Sequence, residues 1–530
     1  MTSYLLTGGV LYNGLGTPPY QADILIRDGK ILQIEPAGSV HFPGCEIHEI
    51  EGFSVSPGWI DVHAHSDASV LAAPEMFGKI SQGVTTEISG NCGLSAFPVT
   101  TAEVREHLRE LYAVYDIIPD WSGFASYADR INARQPAVNT LFLCGHNTLR
   151  ANVSGYQRKM LTASDVEAMN RLLAEMLHQG AAGLSTGLLY VPGCFSEETE
   201  LLSLLKTTAS QNGIYATHLR NEGDRLEEAL LEAVGLAEKA GVTLQLSHLK
   251  TALPRNWHKL DSILKIIENA RKKGFSIYAD RYPYTSSLTS LSIVLGPPYD
   301  IMTDADIRYR LQNNAGEYEQ ARQQLAASTR NWKQVVLSRS NAPAAAGLNG
   351  LTIEEAALRR GKTPSDLVLE ILREDAPGSL AAFQGMSEQN LNRILLQDWV
   401  CCGTDETARP ADRTLGFSHP RGFGSFPQYI RRCRSLGMPM EQIIRKITAL
   451  PARIFHLHSR GVIQPGMNAD LVVFDEMKLN SQADFSHPHL PADGIRQVFV
   501  NGTPSYDGEN RKVTARAGKV IRHRSGSITG

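Results

Sequence analysis

The sequence predicts an α/β protein: a (β/α)8 TIM-like barrel with a small β-sandwich built from both chain ends and an inserted lid. Three observations predict it. Short alternating runs with turn chemistry occupy the two ends, apolar strands alternate with amphipathic helices between them, and several strands finish on histidine, cysteine or aspartate. At 530 residues the chain exceeds one compact unit, so a large domain with an accessory domain is expected.

The ends come first. Residues 4–7, 23–27 and 30–34 are apolar or alternating, around turns such as Arg27-Asp28-Gly29-Lys30. A second set lies at 468–475, 497–502 and 518–522. Neither set can bury both faces of a sheet alone, so residues 1–55 and 455–530 are expected to pair into one β-sandwich. Between them, residues 56–454 repeat strand and helix. The strand candidates end at His65, Cys92, His146, Tyr190, Leu219, Leu249, Tyr284 and Asp405, and helical patterns such as 163–179, 225–240 and 259–273 carry apolar residues at three- and four-residue spacing. Eight such units predict a barrel whose reactive groups sit at the C-terminal strand ends. One connection is too long. The segment at about 286–348 is polar and rich in Gly, Pro and Ala, yet holds Tyr309, Trp332, Val335, Val336 and Leu337, which predicts a small folded lid.

With 42% hydrophobic residues, 20% charged residues and a net charge of -3, the chain offers no electrostatic case for nucleic acid or an anionic membrane. Small neutral or acidic ligands remain. The first residues have no basic stretch followed by an apolar segment, and no later run reaches membrane-spanning length, so a cytoplasmic protein is expected. Seven scattered cysteines suit reduced thiols better than a disulfide framework.

The first barrel strand delivers His63 and His65, one residue apart and therefore on one face. An isolated pair of this kind is more often a hydrogen-bonded strand end than a ligand pair. Its standing changes because Cys92, His218, His248 and Asp405 close the second, fifth, sixth and eighth strands at the same end of the proposed barrel. As a thiolate, Cys92 suits zinc, which favours sulfur and nitrogen donors. His456, His458, His487 and His489 lack this context and read as surface or interface residues, and His146 as structural or pocket-lining.

Several stretches carry a resemblance over nearly the whole chain. They are 57–65, Gly90-Asn91-Cys92-Gly93-Leu94-Ser95, Gly145-His146-Asn147-Thr148-Leu149-Arg150, and Gly183-Leu184-Ser185-Thr186-Gly187-Leu188-Leu189-Tyr190. Thr217-His218-Leu219-Arg220-Asn221-Glu222, Ser247-His248-Leu249-Lys250, Tyr282-Pro283-Tyr284, His419-Pro420-Arg421 and 469–475 continue it. Together they resemble the D-aminoacylases, the N-acyl-D-amino-acid deacylases of the amidohydrolase superfamily. The cysteine motif is the specific part, because many superfamily relatives place a carboxylated lysine or a glutamate there.

The resemblance implies zinc-dependent hydrolysis of a small N-acyl-D-amino acid. It implies that Cys92, His218 and His248 hold the main Zn2+, and that His63 and His65, with Asp405, complete a second, weaker position bridged by Cys92. Asp405 would move the proton, and Lys250, Arg421 and a tyrosine of the Tyr282-Pro283-Tyr284 segment, assigned as Tyr282, would grip the substrate carboxylate. Arg281 is open to two readings, contact with an acidic substrate side chain or a salt bridge to a neighbouring carboxylate. The chain departs from the family pattern at Asp405-Glu406-Thr407, where aspartate and glycine are common, and in a longer stretch from there to His419. Two alternatives stand beside this reading: a cyclic amide hydrolase of dihydroorotase or hydantoinase type, and a non-catalytic barrel acting as an assembly partner. The D-amino-acid side chain, the acyl group, occupancy of the second position and the number of subunits are left open.

Overall fold

A computed structural model describes residues 3–39 and 42–523. Eight parallel strands close the barrel: β1 (Trp59–Asp61), β2 (Val84–Ser89), β3 (Asn139–Phe142, continued by Cys144–Gly145), β4 (Gly183–Gly187), β5 (Ile214–His218), β6 (Leu244–Leu246), β7 (Ile277–Asp280) and β8 (Val400–Cys401). Pairing runs in chain order, and a parallel bridge between Ala64 and Glu406 joins the last strand to the first. Side chains alternate in and out as the period of two requires. Ile214 and Ala216 pack with Ile60, Val62 and Ile88 in one cluster, closed off by Leu450, Ile454 and Phe455, whereas Tyr215 between them joins the larger core formed with the helices.

The hydrogen-bonded ladders stop one to four residues short of the strand ends expected from the sequence. The reason is local. Cys92, His248 and Asp405 have φ of 54°, 38° and 53°, a left-handed backbone that cannot continue a strand. Such conformations cost of order 1–3 kcal/mol each and survive where surrounding structure over-determines them. Here they turn three polar side chains inward above the barrel.

The two chain ends pair with each other. Leu471–Phe474 runs antiparallel to Ser54–Pro57, which also pairs with Ser3–Leu11, so nine strands form one continuous ladder. The last predicted strand goes elsewhere. Residues 518–522 leave this sheet and dock on β3, with Thr140 N donating to Lys519 O at 3.0 Å and Ile521 N donating to Thr140 O at 2.8 Å. Gly518 permits the approach, since a Cβ there would lie 2.2 Å from Val138 O.

The insertion is longer than 286–348. Ser286–Ser290, Leu380–Gln384 and Val335–Arg339 form an antiparallel sheet with Leu380–Gln384 in the centre. Helices Ile353–Arg360 and Pro364–Asp375 belong to it, because Leu367, Val368, Ile371 and Leu372 bury against Leu291, Leu325 and Leu337 in a separate core. The helix that returns to the barrel is Glu388–Leu395. Among the described residues no helix is long and apolar enough to cross a membrane, and all seven cysteines are free.

Candidate metal centre

The strand ends, with the start of the helix Arg421–Ser435, bring every sequence-predicted site residue to one cavity or its floor. His65, Cys92, His218, His248, Lys250, Tyr282, Asp405 and Arg421 line a cavity of about 1120 Å³ between the barrel mouth and the lid. His63 lies just beneath, fully buried. Cys92 Sγ is 3.4 Å from His63 Nε2 and 3.6 Å from His248 Nε2. Donor atoms lie within 4.8 Å of one another in three overlapping sets: Cys92, His218 and His248; His63, His65 and Cys92; and His63, His248 and Asp405.

These residues fit a metal on two grounds. His218 is buried with neither ring nitrogen hydrogen-bonded, which costs about 1–3 kcal/mol for each unsatisfied group. Burial pushes the Cys92 thiol up, but His63, His218 and His248 outweigh it and hold Cys92 well below the usual thiol range. A thiolate among imidazoles is a donor set for zinc.

Several residues that sequence reasoning missed hold the donors in place. Asp280 Oδ1 lies 3.2 Å from His63 Nδ1 and accepts from His248 N at 2.9 Å, so one carboxylate orients two histidines. Glu222 Oε1 lies 3.1 Å from His248 Nδ1 and pairs with Lys250. Its place four residues after His218 in the strand-five motif was the available signal. Below the site, Lys79 is fully buried and donates to Asp61 Oδ2 and Thr404 Oγ1, both at 2.7 Å, and to Glu406 O at 3.0 Å. Asp61 Oδ1 in turn accepts from His63 N and Thr404 N. The signal for Asp61 was its position two residues before His63, on the same face.

The two cations expected to face a ligand are already paired. Lys250 is engaged with Glu222, and Arg421 Nη1 donates to Asp405 Oδ2 at 2.7 Å. Burial pushes the Asp405 carboxyl up, but Arg421 and then His65 and His63 hold it well below the ordinary carboxylate range, so it is ionised. Tyr282 lies between two guanidinium groups, with Arg281 4.0 Å and Arg421 4.8 Å from its ring centre, and its hydroxyl has no partner among the described residues. Against the two readings offered for it, Arg281 forms no ion pair among the described residues and is not in the cavity lining; its Nη2 donates to Tyr284 O and its face covers Tyr282, while its buried Nε and Nη1 have no partner.

The Cys92 turn rests on Gly187 at the end of β4. A Cβ there would lie 2.0 Å from Cys92 O. Gly187→Val is therefore expected to displace Cys92, lowering bound zinc per chain and costing about 1–3 kcal/mol of stability. Metal analysis beside a melting curve checks it; unchanged zinc content would show that the turn does not depend on this contact.

Residues 49–506 match the model of the amidohydrolase family. A D-aminoacylase of Alcaligenes xylosoxydans xylosoxydans is 32% identical over 98% of this chain and 97% of its own length. The chain belongs to the D-aminoacylase group of the amidohydrolase family. The N-acyl-D-glutamate deacylase of the same organism is 31% identical, covering 99% of this chain and 97% of that relative. A crystal structure of N-acyl-D-glutamate deacylase from Bordetella bronchiseptica, complexed with zinc and a phosphonate inhibitor that mimics the tetrahedral intermediate, superposes with a TM-score of 0.81 at 30% identity. It covers 98% of this chain and 99% of that one. The superposition over nearly the whole of both chains shows that the fold is shared from end to end.

Proposed function

We propose that this protein hydrolyses the amide bond of N-acyl-D-amino acids in a zinc-dependent reaction, releasing a carboxylic acid and a free D-amino acid. The observation that carries the reading is the buried set of Cys92, His218 and His248 opening on the same cavity as the ionised Asp405. Cys92, His218 and His248 hold the main ion, and His63 and His65, with Asp405, a second, weaker one. Zinc there supplies Lewis acidity, polarising an amide carbonyl and making water more acidic.

The chain's own groups do the rest. Asp405 Oδ1, 3.1 Å from His65 Nε2, takes the proton of the attacking water and returns it to the leaving nitrogen. Arg421 keeps that carboxylate ionised beforehand and fixes its second oxygen. Lys250, Tyr282 and Arg421 receive the substrate α-carboxylate. The unpartnered Tyr282 hydroxyl and Arg421 Nε supply donors that the resting ion pairs leave unused. With the carboxylate held on that side and the acyl carbonyl at Cys92, His218 and His248, only one enantiomer presents its amide correctly.

A panel of N-acetyl-D- and N-acetyl-L-amino acids, with hydantoin and dihydroorotate beside it, tests the reading. Release of free D-amino acid is expected, with the L series and the rings left intact. Zinc-loaded protein that cleaves no acyl-D-amino acid, or opens a ring faster, would end it.

A further inference from the structure

Similarity does not choose the substrate side chain, since the D-aminoacylase and the N-acyl-D-glutamate deacylase are 32% and 31% identical to this chain. The lid wall of the cavity does. Arg330 lines it from the loop between helix Ala315–Ala326 and strand Val335–Arg339. Its guanidinium carbon is 5.9 Å from the centre of the Phe383 ring. Phe383 pairs with Ser287 on one side and Val335 on the other, and all three line the cavity that holds His218 and Asp405.

Among the described residues Arg330 has no counter-charge, which of the cavity's lysines and arginines it shares only with Arg339, whose Nε donates to Gly378 O at 3.4 Å. Lys250 pairs with Glu222, Arg421 with Asp405, Arg255 with Asp224 and Arg409 with Glu406. Arg330 forms no ion pair among the described residues, and its buried Nε has no partner. Burial alone pulls its pKa down, with no acidic neighbour to offset the effect. A partly desolvated guanidinium is costly unless a carboxylate meets its fork of donors.

We propose that Arg330 receives an anionic substrate side chain, so that the preferred substrates are N-acyl derivatives of D-amino acids bearing a side-chain carboxylate. This rests on the deacylase reading above and adds a second anion site on the lid, apart from the groups assigned to the α-carboxylate. Arg281, which the sequence offered for the task, is buried behind Tyr282 and is not among the residues lining the cavity. Val335, Leu380 and Phe383 give the lid wall apolar surface, and the lid's one acidic lining residue, Asp304, accepts from Ser290 and Ser292 and exerts no pull on Arg330.

The test compares N-acetyl-D-glutamate, N-acetyl-D-aspartate and N-acetyl-D-methionine on zinc-loaded wild type, Arg330→Met and Arg330→Lys. Wild type should favour the two acidic substrates. Arg330→Met should lower their kcat/KM by about 10- to 100-fold, chiefly through KM, and leave the methionine substrate within about two-fold. Arg330→Lys should restore part of the loss. A wild-type preference for the methionine substrate, or an equal loss on all three, overturns the proposal. If none of the three is hydrolysed, the deacylase reading fails instead. Calorimetric binding of N-acetyl-D-glutamate to wild type and to Arg330→Met then decides the role of Arg330 by itself: weaker binding in the variant supports it and equal binding overturns it.

Discussion

Asp405→Asn is expected to lower turnover of an N-acyl-D-amino acid by about 10²- to 10⁴-fold while zinc stays bound. The substitution keeps shape and hydrogen-bonding capacity but cannot take a proton. In the wild type, Asp405 is nearly buried, and Arg421 at 2.7 Å and His65 at 3.1 Å overcome the burial that would otherwise keep it neutral. Asparagine still offers Arg421 an oxygen, so the buried guanidinium is not abandoned, and the fold should hold where alanine would leave a charge unpaired. The substitution leaves the candidate donor set of Cys92, His218 and His248 intact. The measurement is kcat beside zinc content and melting temperature in one preparation. A variant that keeps more than about a tenth of the wild-type kcat would remove Asp405 from proton transfer. One that loses its zinc would make it a principal ligand.

The clustering of the candidate donors was legible in the sequence because each closes an apolar run at or just beyond a strand end, and strand ends in a parallel barrel share one rim. Periodicity of two placed His63 and His65 on one face, and the turn residues around Cys92 marked the second strand end. The supporting residues were much less visible. Lys79 meets Thr404 across 325 positions and Asp61 across 18, and nothing in its surroundings distinguishes it from a helix lysine at the surface. Pairing is similarly hidden. Lys250 and Arg421 looked like two free cations, because Glu222 reaches Lys250 from a different strand end and Asp405 was already assigned a role. The lid boundary was missed for the opposite reason. Helices Ile353–Arg360 and Pro364–Asp375 have the amphipathic pattern of barrel helices, and only their apolar partners, Leu291, Leu325 and Leu337, assign them to the lid. Arg330 stands in a polar loop that sequence alone does not connect with the strand ends; the fold of the lid places it on the wall of the cavity they open into.

Lys79→Met is expected to cost about 3–5 kcal/mol of stability near neutral pH, the range for breaking a buried ion pair by removing one partner. The lysine ties two distant ends of the barrel together. Its ammonium bonds Asp61 of β1, Thr404 Oγ1 and Glu406 O beyond β8, and lies 3.3 Å from Glu87 of β2. All three carboxylate-bearing or hydroxyl side chains are buried, so methionine would fill the volume but leave Asp61 and Glu87 without their cation. The pH dependence identifies this cause. Burial already raises the Glu87 carboxyl above its ordinary value, and Lys79 is the first influence lowering it. Removing Lys79 raises it further, so above the unfolded glutamate pKa of about 4.3 the folded variant retains a proton that the unfolded chain releases. Stability then falls as pH rises through that window, because the native state binds more protons than the unfolded state. Urea unfolding at pH 5 and pH 8 should therefore find the variant closer to wild type at the lower pH. Asp61 also accepts from His63 N, so zinc content should fall with stability at pH 8. Equal destabilisation at the two pH values would attribute the loss to packing, and a variant as stable as wild type at pH 8 would show that β1 and β8 are held together without the buried charge.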